Sequence, residues 1–241
     1  MITLILVPGN VSKISMKNGM KNDVNSSHVI GVRLSGAAIT DITGDATASV
    51  FVYEVYNNKN CSVTLVNGWN LVSMPCSPSN KTLDYSLASM NGGYVSMHWY
   101  DPNDDGDHWK SYNPSMPSWV VQDLGNISIQ DGYWLYINKS PSIVWSLQGN
   151  ITLPTYVYLY NGWNLAGYPS NETKNVTLAL QTINTSVSSI HMYNASDTND
   201  PWKVYNPSLD PSFNDLTMLN PFFGYWMNIT TNQSSANWTI I

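Results

Sequence analysis

The chain has 241 residues, with 10 basic and 16 acidic side chains and a formal net charge of −6. Charged residues make up 11% of the chain and aromatic residues 12%, which is unlike a cytosolic enzyme and indicates a polar, mostly uncharged surface. Arg33 is the only arginine, and the lysines are scattered singly. No basic stripe is available for phosphate groups, so the composition argues against a nucleic-acid partner.

Residues 1–61 are predicted to form an N-terminal β region. The segment MITLILVPGN contains an apolar run without alternation, which is typical of a strand buried on both faces. The run is too short for a membrane span or a signal peptide and has no positive flank, so we take it as a mature or trimmed N-terminus. It is either the central strand of its own domain or an assembly strand donated to a neighbouring subunit. The residues of this candidate strand are Ile2, Leu4, Ile5, Leu6 and Val7.

The rest of the chain contains an internal duplication. NGWNLVSMP at residues 67–75 returns as NGWNLAGYP at residues 161–169, and later landmarks recur in the same order at an offset of 94 to 92. A unit of this length is the size of a small domain. We therefore predict two homologous repeat domains, 62–152 and 153–241. The matched pairs include Trp69 and Trp163, His98 and His191, Trp109 and Trp202, Trp134 and Trp226, and Trp145 and Trp238.

Each repeat is predicted to be mostly β with one short helix, an α+β fold. Hairpins are expected over residues 63–74 and 156–168, because Asn-Gly favours a two-residue turn. Helices should follow, led by Asn80 or Thr82 in the first repeat and by Thr177 in the second. Strands are expected at 94–100, 109–112, 133–138 and 143–147, with counterparts in the second repeat. The duplicated tryptophans are predicted to pack the two cores, with an aromatic sugar-binding platform as the alternative.

The two cysteines, Cys61 and Cys76, bracket the first predicted hairpin. The matching positions of the second repeat are Thr155 and Ser170, so both cysteines are missing together, as expected of a bonded pair. A local disulfide is therefore predicted, which favours an oxidising compartment. Free thiols or an intermolecular bond are the alternatives.

The loop between Tyr100 and Trp109 contains a candidate calcium site. Asp101, Asn103, Asp105 and Asp107 alternate along it, with glycine at the sixth position, as in the first half of an EF-hand loop. The pattern then departs, because the twelfth position is Tyr112 instead of glutamate. A plain polar hairpin loop is the alternative.

Fourteen Asn-x-Ser/Thr acceptor sites predict N-linked glycans on a secreted protein. The alternative is that an Asn/Ser/Thr-rich composition gives polar turns and strand faces that match by accident. The sites are Asn10, Asn25, Asn60, Asn80, Asn126, Asn138, Asn150, Asn171, Asn175, Asn184, Asn194, Asn228, Asn232 and Asn237.

No sequence pattern of a known catalytic class is present. There is no G-x-S-x-G, no H-E-x-x-H, no phosphate loop and no dinucleotide fingerprint, and Glu54 and Glu172 are the only glutamates. His98 and His191 occupy matching strand positions, which favours packing over an asymmetric active site. His108 could join a metal site, but a solvated loop histidine is commoner. We therefore expect a protein that is not an enzyme.

The repeated pattern of G-W-N-L-V-S-x-P, a helix, Y-D…W-x-x-Y-x-P and a glycine before Y-W resembles a module of archaeal and some bacterial secreted and cell-surface proteins. The resemblance covers residues 62–241 and brings no catalytic residues. Together with the acceptor sites, it implies an archaeal surface glycoprotein of the S-layer, sheath or filament type. The expected function is self-assembly at the cell surface as a homo-oligomer or polymer that does not span a membrane. A carbohydrate-binding or adhesion module, with cell-surface glycans as partners, is the alternative.

Overall fold

The computed structural model describes residues 32–34, 50–52, 59–117 and 119–241. The chain divides into two compact units, Met1–Val55 and Tyr56–Ile241. In the first unit, strand β1 (Val32–Leu34) pairs antiparallel with β2 (Val50–Val52). The predicted assembly strand, Ile2 to Val7, lies outside the described residues.

The second unit is mostly β, as predicted, with two short helices. Its strands are β3 (Lys59–Val72), β4 (Tyr94–Tyr100), β5 (Trp109–Tyr112), β6 (Tyr133–Gly149), β7 (Thr155–Leu159), β8 (Gly162–Ala166), β9 (Lys174–Asn175), β10 (Val187–Tyr193), β11 (Trp202–Tyr205), β12 (Met218–Leu219), β13 (Tyr225–Ile229) and β14 (Ala236–Ile240). The helices are α1 (Leu83–Ser86), which continues into a 3-10 turn at Ala88–Met90, and α2 (Val176–Ala179); another 3-10 turn covers Pro211–Phe213.

The two repeats build the same antiparallel arrangement. The first has a four-stranded sheet in the order β3-β6-β4-β5, and the second has one in the order β8-β13-β10-β11. A two-stranded ribbon accompanies each sheet: the first half of β3 with the end of β6 in one repeat, and β7 with β14 in the other. The predicted strands at 94–100 and 109–112 are confirmed. The domain boundary at 152/153 stays a prediction.

The hairpins predicted at the Asn-Gly pairs are wrong. Strand β3 does not turn back at Asn67-Gly68; it continues along β6, with a shift of register between Val66 and Gly68. In the second repeat, β7 pairs with β14 and β8 pairs with β13. The Asn-Gly pair is therefore a sharp bend between ribbon and sheet, and glycine suits it because φ is +99° at Gly68 and +93° at Gly162.

The asparagine that follows each of these bends ties the bend together. Asn70 is buried, its Oδ1 accepts from the Val66 N–H at 3.1 Å, and its Nδ2 donates to the carbonyl oxygens of Val66 and Gly68. Asn164 makes the same three bonds to Tyr160 and Gly162. The repeated sequence N-G-W-N is thus a bend with its own side-chain clamp.

One pair of the duplicated tryptophans anchors the helices to the cores. Trp145 and Trp238 are fully buried. The indole Nε1 of Trp145 donates to the Ser86 carbonyl at 2.8 Å, and that of Trp238 donates to the Ala179 carbonyl at 2.7 Å. Each ring therefore fills its core and satisfies a carbonyl at the end of the short helix.

The predicted disulfide between Cys61 and Cys76 is present, with 6.1 Å between the two Cα atoms. The hairpin expected to bring them together does not form. Instead, residues 73–78 turn back, and Ser77 exchanges backbone hydrogen bonds with Asn150, just beyond the pairing of Lys59 with Gly149. The disulfide thus fastens the turn after β3 to the start of β3.

The repeats meet through two sets of backbone hydrogen bonds that mirror one another. The Gly224 N–H donates to the Leu71 carbonyl at 3.3 Å, and the Gly132 N–H donates to the Leu165 carbonyl at 3.0 Å. A Cβ atom on Gly132 would lie 2.7 Å from the Ala166 oxygen and 3.2 Å from the Gly224 Cα. Both glycines of the G-Y-W sequences are therefore needed for the close approach of the two repeats.

We expect Asn70→Ala to lower the free energy of unfolding by about 2 to 4 kcal/mol, because three hydrogen bonds are lost and buried backbone groups are left unpaired. Chemical denaturation followed by circular dichroism measures this. Asn67→Ala is the matched control, since Asn67 is exposed in the same bend. Equal stability of the two variants would contradict the clamp.

Replacing Cys61 by Thr and Cys76 by Ser, the residues of the second repeat, should cost about 3 kcal/mol because the disulfide closes a 15-residue loop. Guanidinium unfolding gives the value. The native protein in reductant should then match the double variant, whereas stability unaffected by either treatment would show that the disulfide contributes nothing.

Candidate functional site

The outer faces of the two four-stranded sheets carry aromatic side chains. Along β6, the alternation of a strand buries Tyr133, Leu135 and Ile137 in the core and places Trp134 and Tyr136 on the opposite face. The prediction that the duplicated tryptophans pack the cores therefore holds only for Trp145 and Trp238. The other three matched pairs lie on the outer faces.

The first repeat presents four rings together, Trp69, His98, Trp134 and Tyr136, which we call the first aromatic cluster. The Trp69 ring centroid lies 4.9 Å from that of Tyr136, 5.7 Å from that of His98 and 6.2 Å from that of Trp134. Trp69 and Tyr136 are directly paired across β3 and β6. The edge-to-face geometry of Trp69 with Trp134 and with Tyr136 leaves ring faces available for contact.

The second aromatic cluster, Trp163, His191 and Trp226, repeats this arrangement. Trp163 lies 5.5 Å from His191 and 6.1 Å from Trp226, measured between ring centroids. The position of Tyr136 is taken by Asn228, which pairs with Trp163 across β8 and β13. The second cluster therefore has one ring fewer.

Each cluster is extended by a tyrosine and a tryptophan from the opposite repeat. Tyr193 and Trp202 lie 5.3 and 5.9 Å from Trp134 of the first cluster. Tyr100 and Trp109 lie 5.2 and 5.8 Å from Trp226 of the second cluster.

Much of this aromatic surface faces solvent. The exposed fraction is 44% for Trp69 and Trp109 and 42% for Trp163 and Trp202. An open groove of about 460 Å³ crosses the second cluster, and its walls are Tyr100, Trp163, His191, Trp202 and Trp226. The exposed rings of the two clusters therefore form an aromatic surface that continues into this groove.

The two histidines are held in place by serines. For His98, Nδ1 lies 2.8 Å from the Ser111 hydroxyl and Nε2 lies 2.9 Å from the Ser96 hydroxyl. His191 has the Ser189 hydroxyl at 3.2 Å from its Nε2. Burial lowers the pKa of both histidines, so the neutral form is favoured at neutral pH. The rings therefore contribute polar edges without charge.

The loops beside the clusters are closed by lysine and aspartate. Asp104 accepts from the backbone N–H groups of Gly106 and Asp107, and Lys110 Nζ lies 2.6 Å from its Oδ2. The bond from Lys110 holds the pKa of Asp104 below its usual value. In the second repeat, Lys203 Nζ lies 2.6 Å from Asp200 Oδ2 and 3.2 Å from Asp197 Oδ2.

The predicted calcium ligands, Asp101, Asn103, Asp105 and Asp107, lie in the same loop as Asp104. Asp101 Oδ1 accepts from the Asn103 N–H, and Asp105 is exposed. Within 59–117 and 119–241, no three acidic, histidine or cysteine side chains are grouped as metal ligands would be. His108 lies flat against Tyr100, with 4.9 Å between ring centroids, and its Nδ1 is 2.8 Å from the Asp101 carbonyl oxygen. Calcium binding stays a prediction.

A partly buried carboxyl lies between the repeats, beside the aromatic face. Asp131 borders a crevice of about 240 Å³, which Asp101 and Asn164 also line. Burial raises the pKa of Asp131 to about 7, and the negative charge of Asp101 acts in the same direction. Hydrogen bonds from Tyr133 and Ser128 oppose the shift. In the second repeat, the corresponding residue is Phe223.

Twelve of the fourteen predicted glycan acceptors lie among the described residues; Asn10 and Asn25 do not. Asn150, Asn194 and Asn228 are partly buried, and Asn228 stands on the aromatic face beside Trp163. The others are exposed, as an attached glycan requires: Asn60, Asn80, Asn126, Asn138, Asn171, Asn175, Asn184, Asn232 and Asn237.

No protein-family model, curated protein or solved structure matches the chain. Over the described part of the chain, no helix has both the length and the apolar character needed to cross a membrane.

The pKa of Asp131 predicts a pH-dependent stability. Between about pH 4, the ordinary range of an aspartate, and pH 7, the folded state holds a proton there that the unfolded state releases. The free energy of unfolding should therefore fall as pH rises through this window. Asp131→Asn should flatten that slope and stabilise the protein at pH 8 by on the order of 2 kcal/mol.

Urea denaturation at pH 5 and pH 8 measures the Asp131 effect. Asp105→Asn, in an exposed loop, is the control and should keep the native slope. A variant Asp131→Asn with the native slope would show that another group titrates.

Proposed function

We propose that this protein is a non-enzymatic extracellular module that binds neutral carbohydrate through its aromatic face. The observation that carries the proposal is the set of four matched tryptophans, Trp69, Trp109, Trp163 and Trp202, each more than two-fifths exposed on that face. Burying these rings would serve stability better than exposing them. Exposed rings grouped in this way favour a binding role.

The chemistry of the face suits a sugar. A pyranose ring has an apolar C–H face that packs on an aromatic ring, while its hydroxyl groups project from the rim and need polar partners. The indoles offer the flat surfaces, and the serine hydroxyls that hold His98, together with His191 and Asn228, offer polar groups between them.

The groove also suits an uncharged ligand. Its lining consists of three tryptophans, one tyrosine and a histidine whose pKa is lowered by burial. Lys110 and Lys203, which follow Trp109 and Trp202 in the chain, are already paired with aspartates of the adjoining loops. An anionic polymer would find no unpaired cation in the lining, whereas a neutral glycan requires none.

The disulfide supports an extracellular location, because such bonds persist in oxidising compartments. Exposed acceptor asparagines on both repeats are consistent with passage through a secretory route. The non-enzymatic role is proposed because the sequence contains no G-x-S-x-G, no H-E-x-x-H, no phosphate loop and no dinucleotide fingerprint.

A second candidate is a structural glycoprotein that self-assembles into a layer, sheath or filament of an archaeal cell. Nine exposed acceptor asparagines favour it, since a dense glycan coat is suited to an envelope surface. Electron microscopy of natively purified protein, with and without a calcium chelator, tests this candidate. Regular sheets, tubes or fibres would support it, and dispersed monomers would reject it.

Binding to neutral oligosaccharides tests the first candidate. Isothermal titration with hexasaccharides of glucose, xylose, mannose and N-acetylglucosamine should give saturable binding to monomeric protein by at least one sugar. Trp69→Ala with Trp163→Ala should weaken that binding at least tenfold, since truncating a tryptophan at the centre of a binding site costs about 2 kcal/mol or more.

The control is Trp119→Ala. Trp119 is 79% exposed and belongs to neither cluster, so its removal should leave the affinity unchanged. Hyaluronan serves as the charged comparison and should bind more weakly than the neutral sugar. If no neutral sugar binds, or if Trp119→Ala weakens binding as much as the double variant, the carbohydrate proposal fails.

A further inference from the structure

We propose that the two clusters are composite subsites, each completed by the opposite repeat, and that one extended oligosaccharide occupies both. This inference rests on the proposed carbohydrate function and specifies its ligand: an internal stretch of a linear, neutral glycan chain. The binding unit is therefore the pair of repeats and not the single repeat.

Each repeat contributes an indole ring to the cluster of the other repeat. Trp134 of the first repeat has only Trp69 as an indole neighbour from its own sheet, and Trp202 of the second repeat adds another at 5.9 Å. Trp226 likewise has Trp163 from its own sheet and Trp109 from the first repeat at 5.8 Å. Each subsite thus has an indole floor, two rings wide, with a third ring from across the interface.

The two subsites adjoin one another at Trp202. Trp202 contacts Trp134 in the first cluster and also lines the groove over Trp163, His191 and Trp226. One indole therefore belongs to both subsites, and a ligand that leaves the first meets the second at once. The contacts between the repeats are reciprocal, as in a two-fold relation. A glycan chain that crosses both subsites therefore runs through the second in the opposite sense to the first. Stacking tolerates this, because it depends on ring faces and not on a directional hydrogen-bond pattern.

Hydrogen bonds between the two repeats hold the two subsites in a fixed relation. Ser73 donates its hydroxyl to the Phe223 carbonyl at 2.8 Å, and the Gly167 N–H donates to the Gln130 carbonyl at 2.7 Å. Leu71 and Leu165 are buried in spite of lying on the aromatic sides of their strands. The rings from the two repeats are therefore held at fixed separations before a ligand arrives, which lowers the entropy cost of binding.

The two subsites differ in strength. The first has Tyr136 beside Trp69, and its histidine is held by two serines. The second has Asn228 in place of that tyrosine and Val204 in place of Ser111, so its histidine has one serine contact. A short ligand should consequently prefer the first subsite.

Chain length tests the occupation of both subsites. Calorimetry with the neutral sugar that binds best as a hexasaccharide should show two trisaccharides bound per protein but only one hexasaccharide. The hexasaccharide should bind at least tenfold more tightly than the trisaccharide, as expected of linked sites. One trisaccharide per protein, with the same affinity as the hexasaccharide, would reduce the site to a single cluster and overturn the inference.

The contribution from the opposite repeat has its own test, in which Trp109→Ala is added to two backgrounds. With Trp69→Ala, the remaining trisaccharide binding is at the second cluster, and Trp109→Ala should lower it about tenfold because the Trp109 ring packs edge to face against Trp226 and completes that subsite. With Trp163→Ala, the remaining binding is at the first cluster, and Trp109→Ala should leave it unchanged. Thermal unfolding checks that all variants fold.

The outcomes separate this inference from the proposed function. Absence of binding to every neutral sugar would reject the function itself. Binding that is lost with Trp109→Ala in the Trp163→Ala background, but kept in the Trp69→Ala background, would assign Trp109 to its own repeat and overturn the composite subsites while leaving carbohydrate binding intact.

Discussion

The close approach of the two repeats at Gly132 and Gly224 is the constraint on which the rest of the molecule depends. At this point, a Cβ atom on either glycine would lie within 2.8 Å of a carbonyl oxygen of the other repeat. The missing side chains let each glycine N–H reach a carbonyl across the interface. Because each glycine precedes a tyrosine that enters the core and a tryptophan that faces outward, the same contact sets the position of both cores and both aromatic clusters.

Within each repeat, the bend at N-G-W-N fixes the position of the core and of the outward-facing tryptophan, as the glycine contact does for the two repeats together. The buried asparagine satisfies the backbone groups that a bent strand leaves unpaired, and the tryptophan between glycine and asparagine is directed to the outer face. The disulfide between Cys61 and Cys76 reinforces this construction in the first repeat only. The second repeat keeps the fold with Thr155 and Ser170 at those positions, so the asparagine clamp is the shared element and the disulfide is an addition.

The presence of the strands, the short helices and the disulfide was predictable from sequence because it follows from local patterns: alternation, a capping residue at Thr82 and the joint loss of two cysteines in the second repeat. The cap of the second helix was predicted wrongly, since Asn175 and not Thr177 caps it. The hairpins were not, since Asn-Gly is compatible with a tight turn and with a bend, and only pairing with the distant strand β6 decides between them. The aromatic face was also misjudged. Large rings are normally buried, and because all five residues from Tyr133 to Ile137 are large and apolar, the sequence does not show which face of the strand meets the core. The structure places Trp134 and Tyr136 on the outer face.

The contacts between repeats lie beyond any local pattern, because they join residues far apart in the chain, from Gly132 and Leu165 to Leu71 and Gly224, yet they decide what the face can bind. Without rings from the opposite repeat, each cluster would offer two indoles and a histidine, with a tyrosine added in the first, a small area for a weakly held ligand. Pairing two copies places Trp109 of the first repeat against Trp226 of the second, and Trp202 of the second against Trp134 of the first. The duplicated sequence thereby gives a longer aromatic surface without new kinds of side chain. Duplication then accounts for both properties of the unit: the interface stabilises each repeat, and the same interface assembles the aromatic face.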